Sequence, residues 1–377
     1  MPPPIKKLFV LDTNAPWVRQ LVGAFPEEVN IEGFRVYNGF AFPGGPVGLL
    51  TKTREAEQVS KSWRDHWQGI PGWHKAFRLS SWLVLRRIRI VARRSGAPAA
   101  VLFTLPWYAK VAEQIQGCAK AYYAHDSFRF FGWDTAKVIR GERLLMDACD
   151  FGLAVARLVA ADLKQLSRRP VHYFPMATAW HPGTVDGMRQ RAVPPDIAGI
   201  PAPRVGCVGQ ISSRAYDWDL IRVLCEELPH VQFVFIGPIF EEGPQTARIR
   251  RLFNRPNIHW LGPKKHPDLP LYINQFDVCV NLLKVSDHNN RRCPLRLFDY
   301  LTTDRPVIST AIAEAYNHVP HLAVADSSHR FVEMLREALR SPNVGDLHAR
   351  WDYIRAHTWS ARAEHFMRLI TGDADAL

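Results

Sequence analysis

The stretch Val205-Gly-Cys-Val-Gly-Gln-Ile-Ser-Ser-Arg214 decides how the rest of the chain is read. A short apolar run, long enough for a buried strand, ends at a glycine, and a segment with helical periodicity, 217–227, follows. Strand, glycine turn and helix in that order open a parallel α/β layer. A glycine in such a turn lets a phosphate approach the main chain, and an arginine beside it grips the phosphate with its planar fork. Gly209, Gln210 and Arg214 are therefore candidates for an anion-binding turn, although a lone glycine at that place is more often only a turn.

Toward the C-terminus the pattern continues. Strands are expected at 231–236, ending at Gly237-Pro238, and at 258–261, 278–282 and 306–309. Helices are expected at 269–275, 295–302, 328–340 and 347–371. Toward the N-terminus, the prolines at 182, 194, 195, 201 and 203 mark 181–203 as a linker. Beyond it the same alternation recurs, with strands at 8–11, 34–37, 101–104, 121–124, 151–155 and 171–174. Its helices fall at 17–25, 77–94, 135–148 and 160–166, and 38–48 reads as loop. Two doubly wound sheets in series imply a crevice at the carboxyl ends of their strands.

Composition agrees with two domains. The 377 residues exceed one ordinary core, and 47% apolar with 22% charged residues excludes disordered, collagen-like and coiled-coil chains. Lys plus Arg number 48 against 36 acidic residues, a net charge of +12. Such a surplus implies an anionic partner, namely nucleic acid, a phosphorylated metabolite or an acidic membrane face. The six cysteines form no C-x-x-C pair, which argues against a zinc knuckle, an iron–sulfur cluster or a disulfide framework. Reduced thiols in a cytoplasmic compartment are the simplest reading. No apolar window reaches the length of a membrane-spanning helix, and the N-terminal run Leu8-Phe-Val-Leu11 is too short for a signal-peptide core.

The chemistry gathers in Pro294-Leu-Arg-Leu-Phe-Asp-Tyr-Leu301 and Arg305-Pro-Val-Ile-Ser-Thr310. Pro294 suits a first helical turn. Arg296 and Asp299, three apart, share a helix face. The cation suits a diphosphate, and an ionised carboxylate suits vicinal ribose hydroxyls because it accepts two hydrogen bonds. An Arg–Asp pair within a solvated helix is the plainer alternative.

In order along the chain, the glycine turn, Asn257-Ile-His-Trp-Leu-Gly262, Asp268-Leu-Pro-Leu-Tyr272 and the 294–310 block resemble the nucleotide-binding half of bacterial GT-B glycosyltransferases of group 1, the family 4-like enzymes. The family block reads P-x-K-x-x-E-Y-L-A-x-G-x-P-V-V-S-T. Here Arg296 replaces lysine, Asp299 replaces glutamate and Asp304 replaces glycine. Arg291 stands where many retaining members carry a donor-sugar glutamate. The N-terminal half is similar more loosely, through Tyr122-Tyr-Ala-His-Asp126, Glu142 and Asp150, and Tyr173-Phe-Pro-Met176.

The resemblance implies a GT-B architecture, with two Rossmann-like doubly wound domains facing a central cleft. The expected limits are 1–180 for an acceptor-binding domain, 181–203 for the linker and 204–350 for a nucleotide-sugar domain. A C-terminal helix and tail, 351–377, is expected to pack back on the first domain. The implied activity moves a sugar from a nucleoside diphosphate, UDP favoured, to a saccharide or lipid-linked acceptor in bacterial glycan synthesis. It is expected to invert and to use neither metal nor other cofactor. Donor-binding residues are Gly209, Gln210, Arg214, Gly237, Pro294, Leu295, Arg296 and Asp299.

The chain is also similar to inverting exopolysaccharide glucuronosyltransferases, whose base aspartate follows a strand. That implies Asp126 as the base taking the acceptor's proton, against a plainer role as helix cap. His125 is a partner or an alternative base, and Asp12 and Asn14 are acceptor-side candidates. Asp217-Trp-Asp219 spells a metal motif but reads better as a helix start. The basic stretch 77–94, with Trp82 among its arginines, reads as a core helix with outward arginines and as a surface for an anionic membrane. A cytoplasmic protein, peripheral on the inner face of the plasma membrane, is the expectation. A basic nucleic-acid-binding protein and an epimerase or phosphorylase on the same fold are the competing readings.

Overall fold

The computed structural model describes residues 5–37, 64–69, 82, 84–90, 99–182, 192–240 and 246–372. The expected loop 38–48, most of 77–94 and the tail acids Asp373 and Asp375 lie outside them. The chain divides into two compact units. Met1–Pro175 with Trp359–Leu377 forms the first and Met176–Thr358 the second.

The first unit carries a seven-stranded parallel sheet. Its strands are β1 (Lys7–Leu11), β2 (Asn30–Tyr37), β3 (Arg64–Gly69), β4 (Ala99–Phe103), β5 (Ala119–Ala124), β6 (Phe151–Ala154) and β7 (Val171–Tyr173). Their order is β3-β2-β1-β4-β5-β6-β7. Every residue of β1 and β4 is buried, as helices on both sheet faces require. Leu8 of β1 lies opposite Ile31 of β2 on one side and Ala100 of β4 on the other. The chain runs outward from β1 to β3 and then returns to β4. The order therefore reverses between β1 and β4, where ligands of such sheets bind at the carboxyl ends.

The second unit repeats the plan. β8 (Arg204–Val208), β10 (Gln232–Ile236), β12 (Ile258–Trp260), β13 (Val278–Asn281), β14 (Val307–Thr310) and β15 (Ala323–Ala325) form a sheet in the order β12-β10-β8-β13-β14-β15. The short β9 (Ile211–Ser212) and β11 (Ile239–Phe240) pair beside it. Val205 lies opposite Phe233 and Val278, so the reversal falls between β8 and β13.

Three expectations need correction. Residues 192–203 are not a free linker, because Ile197 is fully buried in the second unit and Asp196 pairs with Lys264 at 2.7 Å. The expected helix 347–371 is two helices, Leu347–Arg355 and Trp359–Thr371, broken at 356–358, where Thr358 bridges to Thr178. The second of these helices belongs to the first unit, where Phe366 meets Phe25 edge-on at 5.6 Å and Arg362 Nε donates to the Pro175 carbonyl. The unit boundaries thus fall at 175/176 and 358/359, not at 180, 204 and 350.

Candidate functional site

At the reversal of the second sheet, β8 ends in Gly209. Its φ of +128° lies in the region that favours glycine. A Cβ there would stand 2.7 Å from Arg296 Nη2, so the bare main chain is what lets the guanidinium lie across the turn. One strand over, Gly237 has φ +142°, and a Cβ there would stand 2.0 Å from the Gly209 carbonyl oxygen. The Gly209 N–H donates to Ile236 O at 2.8 Å, and the Gly237 N–H to Gly262 O at 3.0 Å. The glycines at the ends of β8 and β10 and in the turn after β12 are thus stitched into one edge. Trp260, 49% exposed, closes the row by donating its indole N–H to Gly237 O at 2.8 Å.

Arg296 reaches this edge from the helix Leu295–Leu301, whose N-cap is the buried Pro294. Its Nη1 donates to Tyr216 Oη at 2.8 Å and to Cys207 Sγ at 3.5 Å, and the guanidinium lies 5.4 Å from the Tyr216 ring centre. Among the described residues it pairs with no carboxylate. A half-buried cation with most of its donors uncommitted, at the switch point of a doubly wound sheet, is built for an anion. Tyr300, one helical step further, accepts the Val208 N–H at 2.7 Å and locks the helix to the end of β8.

Asp299 leaves the same helix for a different partner. Its Oδ1 accepts from Thr178 Oγ1 at 2.8 Å, and the residue is 5% exposed. The pair of Arg296 with Asp299 within the helix is therefore not what the structure holds. Burial pushes the Asp299 carboxyl up to about 7, against the lowering effect of the Thr178 hydrogen bond. A ribose-binding role for Asp299 would have to share the carboxylate with Thr178. Leu295 is half-buried at the first turn, and Gln210 is exposed at the mouth of the glycine turn.

Arg214 is exposed, and its N–H is held by Ser212 Oγ at 3.3 Å. It lies close enough to the loop after β13 to act on His288. Burial first, then Arg292 and Arg214, hold that imidazole down at about 4. The loops after β8 and β13 therefore bring cations together across the switch point. Asn289 fastens the loops, donating from Nδ2 to Ala215 O at 2.8 Å and Lys284 O at 2.7 Å. Asp217 accepts the Leu220 N–H at 3.0 Å and caps the helix Trp218–Glu227, as its reading as a helix start expects.

Where the family carries glycine, Asp304 sits in a turn closed by other means. Thr302 and Thr303 hydroxyls donate back to Asp299 O and Tyr300 O at 2.6 and 2.7 Å. Arg350, 1% exposed, donates to Thr303 O, Arg305 O and His321 O. Such capping removes the need for a left-handed residue.

The first unit has its own switch-point residues. Asp12, directly after β1, holds φ +79°, rare for a non-glycine residue. Its carboxylate accepts the Asn14 N–H at 3.0 Å, and burial pushes it up to about 6. Thr104, after β4, donates its hydroxyl to Leu11 O at 2.8 Å and Asp12 O at 3.1 Å. Asn14 is exposed.

His125 and Asp126 follow β5. His125 is 5% exposed, and its Nδ1 accepts the Trp17 indole N–H at 3.1 Å, which ties the first turn of the helix Pro16–Gly23 to the end of β5. The proton therefore sits on Nε2, which is buried without a partner among the described residues. Burial holds this imidazole down at about 4. Asp126 is half-buried, and its Oδ1 accepts the Ser127 N–H at 2.8 Å. The turn at 128–130 has Ser127 at its cap position, and the Ser127 side chain makes no cap bond. Glu142 and Asp150, quoted for the family likeness, are structural. Glu142 is buried against Arg129 at 3.4 Å, and Asp150 accepts the Lys120 N–H at 2.7 Å. Tyr216, Tyr300 and Thr178 lie outside the sequence-derived site. Tyr300 stood in the 294–310 block, but nothing local marks Tyr216 or Thr178.

Residues 214–368 match the family model described as "Glycosyl transferase-like". Over 106 residues the chain is 28% identical to TuaH of Bacillus subtilis, a glycosyltransferase named for teichuronic acid biosynthesis. That alignment spans 28% of this chain and 26% of TuaH, about a quarter of the relative's length. Among solved structures, Anabaena HepE in complex with UDP and glucose superposes with a TM-score of 0.66 at 12% identity, over 97% of this chain and 99% of that one. Sucrose-phosphate synthase from Thermosynechococcus elongatus gives 0.68 at 14% identity, over 97% and 98%. A UDP-forming trehalose-phosphate synthase from Burkholderia xenovorans gives 0.65 at 13%, over 99% and 100%. The chain has the GT-B fold, with two Rossmann-like domains, and residues 214–368 are similar to the glycosyl transferase-like family, as the sequence resemblance implies.

Proposed function

We propose that this GT-B chain transfers a sugar from a UDP-sugar to a saccharide or lipid-linked acceptor in bacterial glycan assembly. The observation that carries the reading is the uncommitted Arg296 guanidinium lying over Gly209 at the β8–β13 switch point. The donor's diphosphate takes that cation, with Arg214 and Arg292 adding positive charge from the flanking loops. Charge that develops on the departing diphosphate is then met by fixed donors, the arrangement that lowers such barriers most. Trp260 offers a flat, half-exposed face beside Gly237 for the base. HepE bound to UDP and UDP-glucose on the same fold supports a UDP donor.

The acceptor belongs to the first unit, at the ends of β1, β4 and β5. Asp126 takes the acceptor hydroxyl's proton as the sugar is attacked, which inverts the anomeric centre without a metal. His125 does not compete for that role, because its lone pair is engaged by Trp17 and burial keeps it neutral. Its Nε2–H, without a partner among the described residues, is a donor for an acceptor oxygen. Asp12, held in a strained conformation beside Thr104, orients the acceptor.

The test is Asp126→Asn. Turnover with a panel of UDP-sugars should fall at least about 100-fold, the usual scale for losing a general base. Thermal stabilisation by UDP should stay at the wild-type value. Turnover retained in that variant removes Asp126 from the mechanism.

A further inference from the structure

Two separate segments place exposed tryptophan and cations on one face of the first unit. The run 84–90 packs inward through Val84, Leu85 and Ile88 and anchors Arg87 on Glu32 of β2 at 2.9 Å. Arg89 Nη2 donates to Gln114 O at 3.3 Å, at the end of the helix Ala109–Gln114, which in turn packs on the helix Thr135–Ala148. These three segments connect β3 to β4, β4 to β5 and β5 to β6, so right-handed crossovers put them on the same sheet face.

The outward side of that layer has a consistent chemistry. Trp82 is 53% exposed, with the Arg86 guanidinium 5.5 Å from its ring centre. On the helix Thr135–Ala148, Lys137, Arg140 and Leu144 fall at i, i+3 and i+7, one stripe of a helix surface, and Trp133 stands just before its cap residue Asp134. Trp133 and Phe131 are 39% and 43% exposed. Trp133 is braced from behind, stacked on Phe128 at 10° and 5.9 Å and leaning on Trp107 at 5.5 Å. The exposed cations Arg86, Arg89, Lys110, Lys137, Arg140 and Arg143 stand against the carboxylates of Glu113, Asp134 and Asp147.

We propose that this face docks on an anionic lipid bilayer. Rings braced at the surface among arginines and lysines match the headgroup region, where aromatic rings settle and basic side chains meet anionic lipid. Lys110 and Lys137 distinguish this face from a protein interface, which enriches arginine and aromatic rings as here but depletes lysine. Among the described residues no helix is long and apolar enough to cross a membrane, so the contact is interfacial. The proposal stands on this surface alone. Joined to the transfer reading, it deepens it, because Phe131 and Trp133 lie in the same segment as Asp126 and would bring that carboxylate to headgroup depth, suiting a lipid-linked acceptor.

The test is co-sedimentation of the full chain with vesicles of phosphatidylcholine alone and of equal parts phosphatidylcholine and phosphatidylglycerol. Wild type should sediment with the anionic vesicles and stay in solution with the neutral ones. Lys137→Glu with Arg140→Glu should weaken that binding about tenfold or more, as two basic side chains worth about 1 kcal/mol each are reversed. Phe131→Ala with Trp133→Ala should weaken it as well, and the charge pair, at two exposed positions, keeps the test valid if the aromatic pair unfolds. The charge pair should keep its thermal stabilisation by UDP, which separates loss of docking from failure of the transfer reading. Wild type left in the supernatant with anionic vesicles overturns the proposal. So does a charge-reversed pair that sediments like wild type. A wild-type dimer that the charge pair converts to monomer would assign the face to self-association instead.

Discussion

Asp299 shows how one side chain can carry a cost that its neighbours tolerate. Its carboxyl is pushed up to about 7 by burial, so the native state holds a proton there that the unfolded chain has already released near pH 4. Its contribution to stability is therefore full below pH 4 and is lost as pH rises toward and through 7. Asp299→Asn keeps an oxygen for Thr178 and removes the titration. We expect its melting temperature to match wild type near pH 4 and to exceed it increasingly up to pH 8. Equal pH profiles for the two proteins would show that Asp299 is not the buried acid described. Arg296 was legible in the sequence because charge and spacing mark a cation at a helix start. Its partner Tyr216 was not, being 80 residues away. Thr178, 121 residues from Asp299, was equally invisible, since only the folded second unit brings the two together.

At the scale of elements, the glycine edge makes the cation's position possible. A methyl group at Gly237 meets the main-chain oxygen of Gly209, which cannot swing aside as a side chain could, and forces a left-handed φ on an L-residue. Gly237→Ala should therefore cost about 1–3 kcal/mol, the scale for such strained backbone, and should weaken UDP binding by shifting Gly209 beneath Arg296. Denaturant titration with and without UDP checks both. An unchanged midpoint and an unchanged UDP shift would contradict the packing described. Most strands were readable because continuous apolar runs such as Leu8-Phe-Val-Leu11 admit few other fates. β3, Arg-Asp-His-Trp-Gln-Gly, was missed because an edge strand need not be apolar, and pairing with β2 decides it. The break at 356–358 was hidden because no proline or glycine marks it. The bridge of Thr358 to Thr178 ends the helix there.

At the scale of the molecule, the helix Trp359–Thr371 returns the chain's end to the first unit. Phe366 is fully buried between Phe25 and Phe151, so Phe366→Ala should destabilise that unit by about 3–5 kcal/mol, the range for deleting a buried aromatic. The second unit's response to UDP should survive. A variant that loses UDP binding in step with unfolding would show that the units do not hold their sites separately. The net charge of +12 pointed to an anionic partner without choosing one, and the two proposals made for it place one anion on each unit. The most direct measurement is calorimetric titration of UDP into wild type and Arg296→Ala. We predict saturable binding to wild type at one site per chain and at least about a tenfold loss in the variant, as for a charge-assisted pair worth 1.5–3 kcal/mol. Equal affinity in the two proteins, or no binding to wild type, would contradict the account.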